Sequence, residues 1–137
     1  LELIKKALPY LDLVYIDLKI FDEQKHQACT NVSPQLIKEN IRYVLQSEYK
    51  DKVIIRTPLI PTMSATDENI KQIVQFLIQI NPEVKYEMLN YNPLASAKYE
   101  LVNLKYGLES YQMFTKQQMQ HFYDVALQAG IKNLIKE

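Results

Sequence analysis

The stretch at residues 11–19, Leu-Asp-Leu-Val-Tyr-Ile-Asp-Leu-Lys, is apolar and rich in β-branched and aromatic side chains until it closes on Asp17 and Lys19. Such a run predicts a strand buried on both faces, the kind found in parallel sheets. Side chains alternate along a strand, so Asp17 and Lys19 share a side with Leu13 and Tyr15. Upstream, Leu1, Leu3, Ile4, Ala7 and Leu8 recur at helical spacing until Pro9 stops them. Downstream, residues 21–28 are polar with scattered apolar positions and predict one or two helical turns. Ser33-Pro34 is a helix start, a capping hydroxyl with proline in the first turn. Leu36, Ile37, Asn40, Ile41, Val44 and Leu45 form the stripe that follows, which ends near residues 47–50.

The same alternation of patterns then repeats. Residues 53–60 are apolar apart from Arg56 and Thr57, with Pro58 and Pro61 at the exit. Proline fits a ladder poorly, so the regular strand is expected to end near Thr57. Thr66 or Asp67 caps a helix whose inner face is Ile70, Ile73, Val74, Leu77 and Ile78, ended by Asn81-Pro82. A third strand at residues 84–91 leads into Asn92-Pro93-Leu94. Residues 95–113 then have low regularity, a length that in a compact domain marks a functional or covering loop. Thr115 caps a last helix with Met119, Phe122, Val125, Ala126 and Ala129 inward and Gly130 as its C-cap. A short final strand is expected within residues 131–137.

Strands and helices alternating at this size make right-handed βαβ units on a parallel sheet, so the fold class is α/β with parallel βα repeats. Three or four strands cannot close a barrel of eight. The chain starts at Leu1, inside an apolar, Lys-containing segment with neither initiator Met nor signal peptide. The expectation is therefore a single domain over residues 1–137 that forms part of a larger barrel, rather than a small open sheet.

Composition narrows the classes of function. A chain of 137 residues, 47% of them hydrophobic, holds one domain with a real core. Sixteen basic against sixteen acidic residues mark no nucleic-acid or anionic-membrane partner. The apolar runs fall far short of spanning length, so a soluble protein is expected. One cysteine, Cys29, excludes an internal disulfide and agrees with a reducing, cytoplasmic setting. With two glycines in the chain, no Gly-rich phosphate cradle or dinucleotide fingerprint is present.

The candidate chemistry lies at the strand ends. A carboxylate and an ammonium on one side of a strand, at its C-terminal end, occupy the place where α/β folds hold ligands; an internal ion pair is the alternative. Arg56, alone in an apolar strand, needs an anionic partner, because a lone buried charge costs several kcal/mol. Asp17 would serve.

The ordered set of short motifs is more specific. Residues 12–19, then His26, Thr30-Asn31-Val32-Ser33 and Asn40, then Ile55-Arg56-Thr57-Pro58 with Ile60-Pro61, and finally residues 89–94 with Lys98-Tyr99, run through the chain in order. This set resembles the second half of the pyruvate formate-lyase activating enzymes, which are glycyl-radical-enzyme activases of the radical S-adenosylmethionine superfamily. The resemblance implies the C-terminal portion of a partial βα barrel. It also implies a [4Fe–4S] cluster that binds S-adenosylmethionine, reductive cleavage to a 5′-deoxyadenosyl radical, and removal of a hydrogen atom from a glycine of a partner enzyme. The implied partners are a glycyl radical enzyme such as pyruvate formate-lyase and an electron donor such as flavodoxin. The family's three cluster cysteines, spaced C-x₃-C-x₂-C, and its Gly-Gly-Glu stretch have no counterpart here, so the chain by itself is expected to be inactive.

Carried over residue by residue, the resemblance assigns Asp17, Lys19, Arg56, Leu89 and Asn92 to the cofactor. Asp17 and Lys19 suit ribose hydroxyls and a carboxylate, with a monovalent cation near Asp17 also implied, and the planar fork of Arg56 suits a carboxylate. Asn90 and Asn92 stand where the family has Pro and His, and an amide cannot titrate near neutrality. Asn31 and Thr62 replace glycines at turns, and Thr tolerates the left-handed region badly. His26 bonds the main chain or touches substrate with equal expectation, His121 is assigned no role, and Cys29 is expected as a small buried hydrophobe. The tyrosines between Tyr86 and Tyr111 are expected to pack, some of them lining a groove for the partner. Two other readings stay open. One is an aldolase-like barrel with a Schiff base on Lys19, which requires that lysine in an apolar pocket. The other is a non-catalytic binding module. An isolated half barrel is expected to self-associate.

Overall fold

The structure, a computed structural model, describes residues 1–92 and 111–136. Most of the long connection, with Pro93, Leu94, Lys98 and Tyr99 of the resemblance, lies outside the described residues.

Four parallel strands, β1 (Val14–Asp17), β2 (Val53–Pro58), β3 (Lys85–Leu89) and β4 (Asn133–Ile135), pair in chain order. The helices are α1 (Glu2–Ala7), α2 (Glu23–Thr30), α3 (Gln35–Gln46), α4 (Asp67–Ile80) and α5 (Lys116–Gln128). The fold is α/β, as the alternation of patterns predicts. Strands that neighbour each other in both sequence and space, joined by crossovers of one hand, receive their helices on one face. The core sits there: Val14 and Leu18, Val53, Ile55 and Leu59, and Val84, Tyr86 and Met88 meet the inward stripes of α3, α4 and α5.

No element of the described residues covers the other face, and this corrects the expectation for the first strand. Leu13 and Tyr15 are 49% and 47% exposed, so β1 is buried on one side only. The side carrying Ile54, Arg56 and Pro58 on β2 and Lys85, Glu87 and Leu89 on β3 is likewise half-buried or exposed.

Local signals hold with small shifts. Pro9 does not end the first helix; it sits in a 3-10 turn, Leu8–Tyr10, that continues it. Pro34 already has helical backbone, and the Ser33 hydroxyl still accepts from the Gln35 amide at 3.2 Å. Leu36, expected inward, is exposed. Thr66, not Asp67, caps α4 by accepting from the Asn69 amide. β2 runs one residue past expectation, to Pro58. Thr115 and Gln118 form a reciprocal capping box at the start of α5. At its end Ala129 is the cap, and Gly130 follows it at φ +107°. That left-handed residue lets the Gly130 and Ile131 amides close on the Leu127 and Ala126 carbonyls at 3.0 and 3.3 Å.

Candidate functional site

Register places Asp17, Arg56 and Glu87 in one row across three neighbouring strands, and Pro58 beside Leu89 in the next row of that face. Alternation continues past the end of β1: Leu18 and Ile20 are buried while Lys19 between them is exposed, on the side of Tyr15 and Asp17. Asp17, Lys19, Arg56 and Leu89 therefore share the open face. Asn92 lies three residues beyond β3 and is exposed.

Asp17 and Arg56 are in contact. The guanidinium Nε and Nη2 donate to the same carboxylate oxygen, Oδ1, at 3.2 and 3.1 Å. The other oxygen, Oδ2, has no partner among the described residues. The guanidinium also lies over the Tyr15 ring, 4.4 Å from its centroid. With side chains 29% and 35% exposed, this ion pair contributes at most about 1 kcal/mol, so a competing anion exchanges it at low cost.

A buried chain of hydroxyls beneath the face ties the strands that carry these groups. Tyr86 Oη donates to Thr57 Oγ1 at 2.9 Å, and Thr57 Oγ1 donates to the Leu18 carbonyl at 2.8 Å. Burial pushes the Tyr86 phenol well above its ordinary pKa, which keeps it a donor. Just beyond β1, Lys38 Nζ donates to the Phe21 carbonyl at 2.7 Å and stands 3.6 Å from that residue's ring centroid, and burial holds its pKa below the usual lysine value.

The remaining candidates sort themselves out. His26 is buried, with Nδ1 at 2.9 Å from the Val32 carbonyl and 3.0 Å from Thr30 Oγ1, so it bonds the main chain rather than facing the open sheet. Cys29 is exposed, contrary to its expected burial, because α2 is a largely polar helix whose sole buried residue is His26. His121 meets Asp67 at 2.8 Å on the surface. Lys19 is exposed rather than pocketed, which removes the condition that a Schiff-base lysine requires. Asn31 and Thr62 both adopt left-handed backbone, at φ 60° and 63°, the conformation for which glycine is the cheap residue.

Glu87 escaped the sequence reading. It completes the row of Asp17 and Arg56 on the open face. The signal was present: Glu87 precedes Leu89 by two positions, and a period of two puts both on one side.

No protein-family model matches the chain. Individual relatives do. The indoleacetate decarboxylase activating enzyme of Tractidigestivibacter scatoligenes is 32% identical over 133 residues, 96% of this chain and 41% of that protein. The isethionate sulfite-lyase activating enzyme of Oleidesulfovibrio alaskensis is 36% identical over 97 residues, 71% of this chain and 31% of that one. The 4-hydroxyphenylacetate decarboxylase activating enzyme of Clostridium scatologenes is 27% identical over 130 residues, 95% of this chain and 41% of that one. The relatives of this chain are thus activating enzymes of decarboxylases and lyases. The chain spans about two fifths of the length of the activases it matches over most of its own residues. In structure it is similar to a domain of pyruvate-formate lyase-activating enzyme from Bacteroides vulgatus ATCC 8482, with TM-score 0.69 and 24% identity over 98% of this chain and 74% of that one. At that identity the likeness concerns the fold alone, an α/β arrangement on a parallel sheet.

The cofactors that such activases imply fit this chain unequally. A [4Fe–4S] cluster requires several thiolates, whereas the chain has one cysteine and the described residues contain no group of three or more His, Cys, Asp or Glu able to hold a metal ion. The cluster does not fit this chain. The open face suits S-adenosylmethionine better, since it combines carboxylates, cations and apolar side chains within two rows. No helix of the described residues is long and apolar enough to cross a membrane.

Proposed function

We propose that this chain forms the C-terminal wall of a glycyl-radical-enzyme activase of the radical S-adenosylmethionine type, and that its open sheet face holds S-adenosylmethionine. Asp17 accepts hydrogen bonds from ribose hydroxyls through the carboxylate oxygen that Arg56 leaves unused. Arg56 and Lys19 take up the methionine carboxylate, with Arg56 turning away from Asp17 as it does so. Leu89 offers apolar contact to the adenine, and Asn92 flanks it past the strand end. Were S-adenosylmethionine held here beside a cluster whose thiolates lie outside this chain, its one-electron reductive cleavage would supply the hydrogen-atom abstraction.

The observation that carries this reading is the Asp17–Arg56 pair, loosely closed on an uncovered face at the C-terminal ends of parallel strands, in a chain whose homologues are activating enzymes. The partner class is a glycyl-radical decarboxylase or lyase, in line with the names of the relatives, and the electron donor is a low-potential protein of the flavodoxin kind. The test is anaerobic reconstitution, with iron and sulfide, of the protein joined to the segment that bears the C-x₃-C-x₂-C motif. Reductive cleavage of S-adenosylmethionine to 5′-deoxyadenosine is expected, followed by a glycyl radical signal from the partner in electron paramagnetic resonance. A reconstituted protein that leaves S-adenosylmethionine intact under reduction contradicts the proposal.

A further inference from the structure

We propose that Asn69 is a positioning residue that fixes the reach of Lys19 across the open face and its spacing from Arg56; this rests on reading that face as the S-adenosylmethionine site. Asn69 lies in the first turn of α4, on the core side of the sheet, and is 6% exposed. Its amide oxygen accepts from the Phe21 amide at 2.8 Å, and its amide nitrogen donates to the Lys19 and Ser64 carbonyls, each at 2.9 Å. Engaging the carbonyl of one residue and the amide of the residue two further on is how a neighbouring parallel strand would bond that segment. Asn69 therefore stands in for β2 where the ladder has stopped, since the last paired residues are Asp17 and Arg56.

The chemistry admits few substitutes. One acceptor and two donors in a single plane are what an amide has; a carboxylate lacks the donors and a hydroxyl lacks the second one. The third bond ties the loop after β1 to the turn after β2. Ser64, whose carbonyl accepts it, also donates its hydroxyl to the Pro58 carbonyl and accepts from the Ile60 amide at 2.7 Å. Lys19 leaves the chain between the buried Leu18 and Ile20, so once this backbone is pinned its side chain has only the open face to enter. Arg56 sits two residues before Pro58. One buried amide thus sets where Lys19 stands relative to Arg56.

Calorimetric titration with S-adenosylmethionine and amide hydrogen exchange, on the protein and its Asn69→Ala, Asn69→Asp, Lys19→Ala and Lys19→Ala/Asn69→Ala variants, test this. Asn69→Ala and Lys19→Ala are each expected to weaken binding roughly tenfold, the usual scale for a lost charge-assisted contact. The double variant is expected to bind no more weakly than Lys19→Ala. In Asn69→Ala the Phe21 amide loses protection while the Leu18 amide, bonded to the Arg56 carbonyl at 2.9 Å, keeps it. Additive losses in the double variant, or a Phe21 amide still protected in Asn69→Ala, overturn the proposal. Asn69→Asp is close to isosteric and keeps an acceptor for Phe21, so it is expected to retain Phe21 protection yet still bind weakly; full binding by it overturns the role of the donors and serves if the alanine variant does not fold. A wild-type protein without saturable binding refutes the cofactor reading instead, and the Phe21 and Leu18 exchange contrast then judges the buttress alone.

Discussion

Thr57→Val is the sharpest probe of how the strands beneath the candidate site are held together. Thr57 is fully buried, accepts from Tyr86 Oη at 2.9 Å and donates to the Leu18 carbonyl at 2.8 Å. Valine keeps the shape and removes both bonds, leaving the Tyr86 hydroxyl and the Leu18 carbonyl buried without partners. Each orphaned group costs about 1–3 kcal/mol, and the added methyl returns about 0.8 kcal/mol, so a net loss of about 2–4 kcal/mol is expected. Tyr86→Phe removes one donor while Thr57 keeps its bond to Leu18, for a loss of about 1 kcal/mol. The double variant orphans only the Leu18 carbonyl. Its loss is expected near 1–3 kcal/mol, roughly 2 kcal/mol less than the sum of the single losses. Urea unfolding curves of the four proteins give these values from their midpoints at constant slope. Strict additivity, or a Thr57→Val loss below about 0.5 kcal/mol, refutes the claim that this hydroxyl chain ties β1, β2 and β3.

Thr62→Gly removes a β-branched side chain from left-handed backbone at φ 63° and is expected to stabilise the protein by about 0.5–1 kcal/mol in the same assay, despite the entropy glycine adds to the unfolded chain. Glu83 is held below its ordinary pKa of 4.5 by a hydrogen bond from Lys132, and Glu23 below the same value by hydrogen bonds from Gln35 and Ser33. Because the folded values are depressed, their stabilisation is full above about pH 4.5 and is lost as pH falls through the lower folded values. Thermal midpoints should drop over that window, and a Glu23→Gln/Glu83→Gln variant should flatten the drop. Burial lowers the Lys38 pKa as well, so the sign is the same in a higher window: stability rises with pH between the depressed folded value and the ordinary 10.5, and Lys38→Met should abolish that rise in midpoint. β1 is an edge of the sheet among the described residues, beside an uncovered face with exposed Leu13 and Tyr15; light scattering is expected to report dimers at high concentration, and a clean monomer speaks against it.

The fold was largely legible because period and punctuation agreed. Ile70, Ile73, Val74 and Leu77 recur at helical spacing between Thr66 and Asn81, and nothing in the tertiary structure competes with that. The depth of burial of the first strand was less legible. An apolar run reads the same whether one or both faces are covered, and only the one-sided packing of the helices decides that Leu13 and Tyr15 meet solvent. For the site, alternation sufficed to put Asp17, Lys19 and Arg56 together, since all three lie on strands or directly after one. For Glu87 alternation gives the side but not the register: only the pairing of β2 with β3 sets it opposite Arg56, as directly as Asp17. Asn69 and the Tyr86–Thr57–Leu18 chain were out of reach. They join residues 48, 29 and 39 positions apart, and no local pattern says which carbonyl a buried amide or hydroxyl will find. The exposure of Cys29 follows from the polar character of α2, a feature that outweighs the general habit of cysteine.

The central claim is that the uncovered sheet face, and no other surface, receives a zwitterionic nucleoside. Mapping amide chemical shifts of the isotope-labelled protein during titration with S-adenosylmethionine tests it most directly. The expected result is saturable shifts at Asp17, Lys19, Arg56 and Leu89, lost in an Arg56→Met variant, with α3 and α5 unmoved. Shifts confined to the helical side, or unchanged by that substitution, would contradict it.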